Sequence, residues 1–406
     1  MAGKGARGRR WWRRRGPKNE LRKGHGQAGA PDRAEAPEAA GGSGGISYRI
    51  TKETGPDGLP LINVDLTMTP EGKARLLWEA AYQDKGPGHP DTLSAGHELA
   101  GILLGKGAFE EAAELLRHVV AERRAGLGHA HPDTLAATVT LADALELLGD
   151  LAGAEQLHLS VLAERTRTLG TDHPDTLAGL ANAARMAHLL GRLEEAERLT
   201  RQVLAKRERI LGPEHRSTLS SRNHLAGVVR SQGRLEEAGR LYREVAQTSE
   251  RLLGPQDELT VVAHGNCAAV LFHQGRLGEA EPLFRQVLQS RLDTVGPEHE
   301  DTLTARKNLA ATLHGLGRLR EAEAMMREAA EGRRRLFGAD HPETLDCLTS
   351  LAAMLHNEGR HRESEAICRE VVAGYERRFG PADPRTVKAR ENLRLVRTAA
   401  RQAAGE

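Results

Sequence analysis

"HPDTL" occupies His89–Leu93 and returns unchanged at His131–Leu135 and His173–Leu177, with "HPETL" at His341–Leu345. Weaker forms begin at His215, Asp257 and His299, so the seven starts stand 42 residues apart. Eighteen residues after each start comes a glycine: Gly107, Gly149, Gly191, Gly233, Gly275, Gly317 and Gly359. Seven units of 42 fill residues 89–382, and a truncated eighth begins at Asp383. Self-similarity at one fixed period is the signature of a repeat architecture.

Each unit reads as two helices. In the unit from His173, Pro174 pushes His173 toward extended backbone and itself suits a first helical turn. Asp175 places negative charge near the helix N-terminus. Leu177, Leu180, Ala183, Ala184 and Ala187 follow at helical spacing. Gly191 ends this helix, "RLEEAE" (Arg192–Glu197) opens the second, and Leu193, Ala196, Leu199, Val203 and Leu204 form its apolar stripe. "ILGPEH" (Ile210–His215) closes it at Gly212. A lone antiparallel pair cannot bury both faces, so successive pairs are expected to stack into an all-α solenoid. Its ends need covers. "PEGKARLLWEAAY" (Pro70–Tyr82) would be a helix anchored by Trp78, and Pro384–Gln402 a polar cap.

These residues resemble the tetratricopeptide repeat (TPR) family in its 42-residue kinesin-light-chain-like form. The resemblance runs over 89–402 and is clearest in "GPEHEDTLTARKNLAATLHGLGRLREAEAMMREA" at Gly296–Ala329. It implies a right-handed superhelical solenoid of about seven helix pairs whose concave surface, lined by first helices, holds a partner peptide or helix. Two departures stand out. No long heptad segment precedes the array, and the family's paired groove asparagines are reduced to Asn182, Asn223, Asn266, Asn308 and Asn392. The preference for Arg over Lys, with the Ala/Gly bias, points to a high-GC bacterial origin.

The buried stripe takes offsets +4, +7, +10, +11 and +14 from each start residue. Offset +9 is the adjoining face: Glu98, Thr140, Asn182, His224, Asn266, Asn308, Ser350 and Asn392. Offsets +12, +13 and +16 extend it with Arg185, Met186, Met354, His273 and Asn357. Asn182, Arg185, His224, Asn266, His273, Asn308, Asn357 and Asn392 are thus the candidate groove residues. Amides donate and accept at once, so a row of them can pair with an extended peptide backbone. The same amides can equally bridge neighbouring helices inside the array.

Other chemistry fails on register. The start histidines form a row at repeat spacing, which cannot converge on an ion whose ligands lie at about 2 Å. Glu110–Glu111, Glu194–Glu195 and Glu236–Glu237 each fall in the first turn of a second helix and oppose its dipole. "GILLGKGAFEEA" (Gly101–Ala112) lacks phosphate-loop spacing and falls at a helix–helix turn. Cys267, Cys347 and Cys368 form no CxxC pair and read as buried thiols of a reducing cytosol. No catalytic set, metal or cofactor is expected. A cytoplasmic, non-enzymatic interaction scaffold is.

The rest of the chain differs in composition. The first 25 residues carry ten Lys/Arg and one acid; with the whole chain at +2, the other 381 residues carry −7. Arg9, Arg10, Trp11, Trp12, Arg13, Arg14 and Arg15 form the centre of this basic tail. Such a segment reads as solvated and disordered, and an alternative reading tethers the chain to nucleic acid or to an anionic membrane. No apolar run approaches the ~18 residues of a membrane helix. The expected organisation is 1–45 basic tail and Gly/Ala/Pro linker, 46–68 a β-hairpin, 69–88 a capping helix, 89–382 seven repeats, and 383–406 a C-terminal cap and tail.

Overall fold

The computed structural model describes residues 46–54 and 60–404. The basic tail, Arg9–Arg15 included, and the turn at 55–59 lie outside the described residues. Two strands, β1 (Ile46–Thr54) and β2 (Pro60–Met68), pair antiparallel, with Ile46 opposite Met68 and Thr54 opposite Pro60.

The array is helical throughout. α1 (Pro70–Lys85) precedes the pairs α2 (Pro90–Gly105) and α3 (Phe109–Leu127), α4 (Pro132–Leu147) and α5 (Leu151–Leu169), α6 (Pro174–Leu189) and α7 (Leu193–Leu211). α8 (Arg216–Ser231) and α9 (Leu235–Leu253), α10 (Glu258–His273) and α11 (Leu277–Thr294), α12 (Glu300–Gly315) and α13 (Leu319–Phe337) continue the series. α14 (Pro342–Asn357), α15 (His361–Phe379) and the cap α16 (Pro384–Ala404) complete it. Every first helix has 16 residues, and every second helix 19 except α11 with 18. Among the described residues no helix is long and apolar enough to cross a membrane.

The structure accounts for the histidine, threonine and leucine of "HPDTL". The imidazole Nδ1 caps the helix, accepting the N–H two residues on: Asp91 to His89 at 3.2 Å, Ser217 to His215 at 3.1 Å, Glu343 to His341 at 3.3 Å. Asp257 and Asp383 do the same through a carboxylate, at 2.9 Å. The capping residue is extended, φ −65° and ψ 140° at His173, as an N-cap requires. The threonine is buried, and from Thr302, Thr344 and Thr386 its hydroxyl donates to the carbonyl of the glycine six residues back. The leucine enters the core, at 0–1% exposure in Leu177, Leu219, Leu303 and Leu345. The repeated histidine is a helix cap.

The two glycines of each unit stop helices differently. Gly191 has φ 75°, and the Arg192 N–H reaches back to the Ala187 carbonyl at 2.8 Å, the Schellman closure. Gly212 combines φ 90° with ψ 161°, a region essentially closed to any side chain.

Stacking between units uses three devices. Apolar packing comes first: α6 buries Thr176, Leu177, Gly179, Ala183, Ala184, Met186 and Ala187, whereas α7 buries only Ala196, Thr200 and Val203. In every pair but the first, the first helix buries more residues than the second. Secondly, an arginine near the end of a second helix donates to a carbonyl in the next first helix: Arg123 to Asp133 at 3.0 Å, Arg165 to Asp175 at 3.1 Å, Arg207 to Ser217 at 3.0 Å, Arg333 to Glu343 at 3.3 Å. Thirdly, the arginine opening a second helix reaches a glutamate 37 residues earlier: Arg192 to Glu155, Arg234 to Glu197, Arg318 to Glu281 and Arg360 to Glu323. Arg276 lacks this partner because Gly239 stands in the glutamate's place. Burial would raise the Glu197 carboxyl, but hydrogen bonds from Gln232, Arg201 and Arg234 outweigh it and hold it at about 2.

At the start of the array Trp78 of α1 is 6% exposed and packs beneath Gly96, where a Cβ would meet its indole at 3.1 Å.

Candidate functional site: the inner wall of the array

First helices of successive units touch directly, as in α2 with α4, α6 with α8 and α8 with α10. Helices crowd together on the inside of a curve, so the first helices form the inner wall. Along it, offset +16 is exposed from Gly105 to Asn357, and offsets +9 and +12 are half-buried or exposed. Offset +13 is buried from Ala144 to Val396. Met186 is 0% and Met354 6% exposed, so these two leave the expected groove face. Met186 packs into the core of the preceding units and Met354 into that of its own and both flanking units, which makes the buried arc of a first helix wider than an amphipathic stripe.

Side chains of neighbouring first helices meet at fixed sequence separations. At 43 residues, His97 Nε2 meets Thr140 Oγ1 at 2.9 Å and His188 Nε2 meets Ser231 Oγ at 2.8 Å. At 39 residues, Arg185 pairs with Glu146 and Lys307 with Asp346.

The candidate residues fall into two groups. In the first, Asn182 Nδ2 lies 3.5 Å from His158 Nδ1, so its amide bridges helices inside the array. Arg185 is held by Glu146 and lies 3.6 Å from Asp143. The His224 ring meets that of His188 edge-on at 5.5 Å, and its Nε2 is buried without a hydrogen-bond partner. Burial, His188 and Arg185 push the His224 imidazole down to about 4. Burial, followed by Arg185, does the same to His158, also to about 4. Burial raises the Asp143 carboxyl despite Arg185.

In the second group, Asn266 and Asn392 are half-buried, and Asn308, Asn357 and His273 are exposed. Among the described residues the amide side chains of Asn266, Asn308, Asn357 and Asn392 make no hydrogen bond. Asn392 also lines a cavity of about 160 Å³ with Ala352, His356, Cys368, Val371 and Val396, a mostly apolar recess between α14, α15 and α16. All three cysteines are free and buried, and burial raises each thiol above its ordinary value.

Sequence reasoning did not single out Asp143, Glu146, His158 or His188. The signal was present: opposite charges 39 residues apart, Glu146 with Arg185 and Lys307 with Asp346, mark facing positions once the 42-residue step is known. His158 carried no such mark, because it sits buried on a second helix.

Tetratricopeptide repeat models match residues 92–133, 133–209, 177–247, 217–293, 259–335 and 301–377, which together run unbroken over 92–377. The chain belongs to the tetratricopeptide repeat family. Among solved TPR structures it is similar to the kinesin-light-chain-like, nearly identical TPR-like repeats of Podosopora anserina, at 32% identity over 51% of this chain and 98% of that one, TM-score 0.43. BtubC (BKLC) from P. vanneervenii is 22% identical over 58% of this chain and 94% of that one, TM-score 0.49. The TPR-bearing STAND ATPase of Pyrococcus horikoshii shares the fold at 17% identity, covering 75% of this chain and 44% of its own, TM-score 0.51. Among curated proteins none matches the chain. TPR arrays are typically scaffolds for protein–protein interaction and are generally non-enzymatic.

Proposed function

We propose that this TPR array is a non-enzymatic scaffold that holds an extended partner peptide along its inner wall, chiefly over units five to eight. One observation carries the reading: Asn266, Asn308, Asn357 and Asn392 keep unpaired amides on a single wall. A carboxamide can accept a peptide N–H and donate to a peptide carbonyl at the same time, so a row of them recognises backbone. The cavity beside Asn392 would receive one apolar side chain of the partner. His273 and Asn357 would line the exposed rim. Arg185, Asn182 and His224 serve the same wall less directly, since each already contacts the array.

The test is capture of peptides from a randomised display library by the full chain, followed by Asn266→Ala with Asn308→Ala. The double variant should lose about tenfold or more in affinity while stability falls by no more than ~1–2 kcal/mol. Intact capture with a large loss of stability would make the amides structural and sink the reading.

A further inference from the structure

We propose that Asp143, Glu146 and His158 form a binding site for a divalent transition-metal ion, in competition with the guanidinium of Arg185. One ligand atom from each of the three side chains lies within 4.8 Å of the other two. Three atoms so disposed share a point within about 2.8 Å of each, and Zn²⁺ holds nitrogen and carboxylate oxygen at about 2.0–2.2 Å. Movements of under about 1 Å close that gap, and carboxylates exposed on one side can supply them.

The imidazole gives the cluster its character. His158 is 1% exposed, its Nε2 has no hydrogen-bond partner, and that atom lies 3.7 Å from Asp143 Oδ1. A buried nitrogen left without a partner beside a carboxylate is poorly served by the apoprotein and well served by a cation. Its other nitrogen faces the Asn182 amide at 3.5 Å. Rotating that carboxamide by half a turn lets its oxygen accept Nδ1–H and leaves the Nε2 lone pair for the ion. Metal-binding histidines are commonly oriented by such an outer partner.

Charge points the same way. Asp143 and Glu146 carry two negative charges, and Arg185 returns only one. A divalent ion would balance the pair and release Arg185 onto the inner wall. One imidazole and two carboxylates suit Zn²⁺, Co²⁺ or Mn²⁺; Ca²⁺ prefers six to eight oxygens. Asp143 and Glu146 lie on α4 and His158 on α5, so one unit supplies all three ligands and the next supplies the competing Arg185 on α6.

The experiment titrates Zn²⁺ into the chelator-treated full chain by calorimetry, with Co²⁺ absorption reporting coordination and Mg²⁺ as control. The expected result is one saturable Zn²⁺ site that Mg²⁺ does not occupy. Glu146→Gln should weaken it by about tenfold or more, and Arg185→Gln should tighten it by a similar factor. His158→Gln should abolish the Co²⁺ signature. Because His158 is buried and its variant risks misfolding, the decisive pair is Glu146→Gln and Arg185→Gln, both on half-exposed side chains. Absence of Zn²⁺ binding, or binding that neither of these two substitutions alters, overturns the proposal.

Discussion

From Thr140 to Ser231 the inner wall is a run of mutually engaged side chains: Glu146 with Arg185, Asn182 with His158, His188 with Ser231, the His224 ring with that of His188. From Asn266 to Asn392, Lys307 pairs with Asp346, but the amides make no hydrogen bond and alanines stand at Ala269, Ala311 and Ala353. The backbone is the same in both halves, with first helices of 16 residues and the same caps. Stacking fixes offsets +4, +10, +11 and +14, so the wall positions are left to carry chemistry. One half spends that freedom on contacts within the array and the other leaves its amides without them.

The largest expected effect tests the shared backbone. Gly212 and Gly338 have φ near 90° and ψ of 161° and 166°, with open space where a Cβ would stand. Alanine at either should cost about 1–3 kcal/mol from backbone strain alone, and equally in the two halves. Hydrogen exchange of the flanking helices measures this locally; unequal losses would show that the halves do not share one frame. Asparagine should be better tolerated at Gly191 than at Gly212, since only the former is left-handed α.

Next comes acid. The folded imidazole of His224 sits at about 4, below its ordinary 6.5, so the unfolded chain binds the proton first as pH falls. That contribution to stability is intact above pH 6.5 and is lost on the way down to 4. Between pH 7 and 5 it should amount to about 1–2 kcal/mol, and His224→Gln should flatten the slope of urea stability against pH. An unchanged slope would mean that His224 is more solvated than its contacts imply.

A smaller effect follows from Arg185→Ala, which leaves two carboxylates side by side: about 1 kcal/mol, discounted because the pair is partly exposed. The smallest is Asn308→Ala, below about 0.5 kcal/mol in urea unfolding, since its exposed amide has no intramolecular partner. If Asn308→Ala costs more than Arg185→Ala, the contrast between the halves is reversed.

Most of the fold was legible because a single step of 42 governs everything local. Helix starts, helix stops and the core leucines follow from "HPDTL" and two glycines, and Trp78 stands out as the lone tryptophan of its helix. What escaped was whatever depends on two units at once. The arginines at 123, 165, 207, 291 and 333 recur in register, yet they lie outside any apolar stripe, so periodicity gave no reason to connect them to the next helix. Met186 and Met354 were placed on the groove by counting faces of an isolated helix, whereas the neighbouring unit buries them. His158 is the extreme case. Its partners come from two other helices, and no spacing along the chain announces them.

The 37-, 39- and 43-residue separations have a further consequence for how such a chain can change length. Each is the repeat step displaced by a fixed amount, so inserting one residue inside a unit misaligns the arginine staples outside and the polar ladder inside at once. Adding or removing 42 residues leaves every separation as it was. The array is a ruler graduated in whole units, and its length can grow or shrink only by counting them.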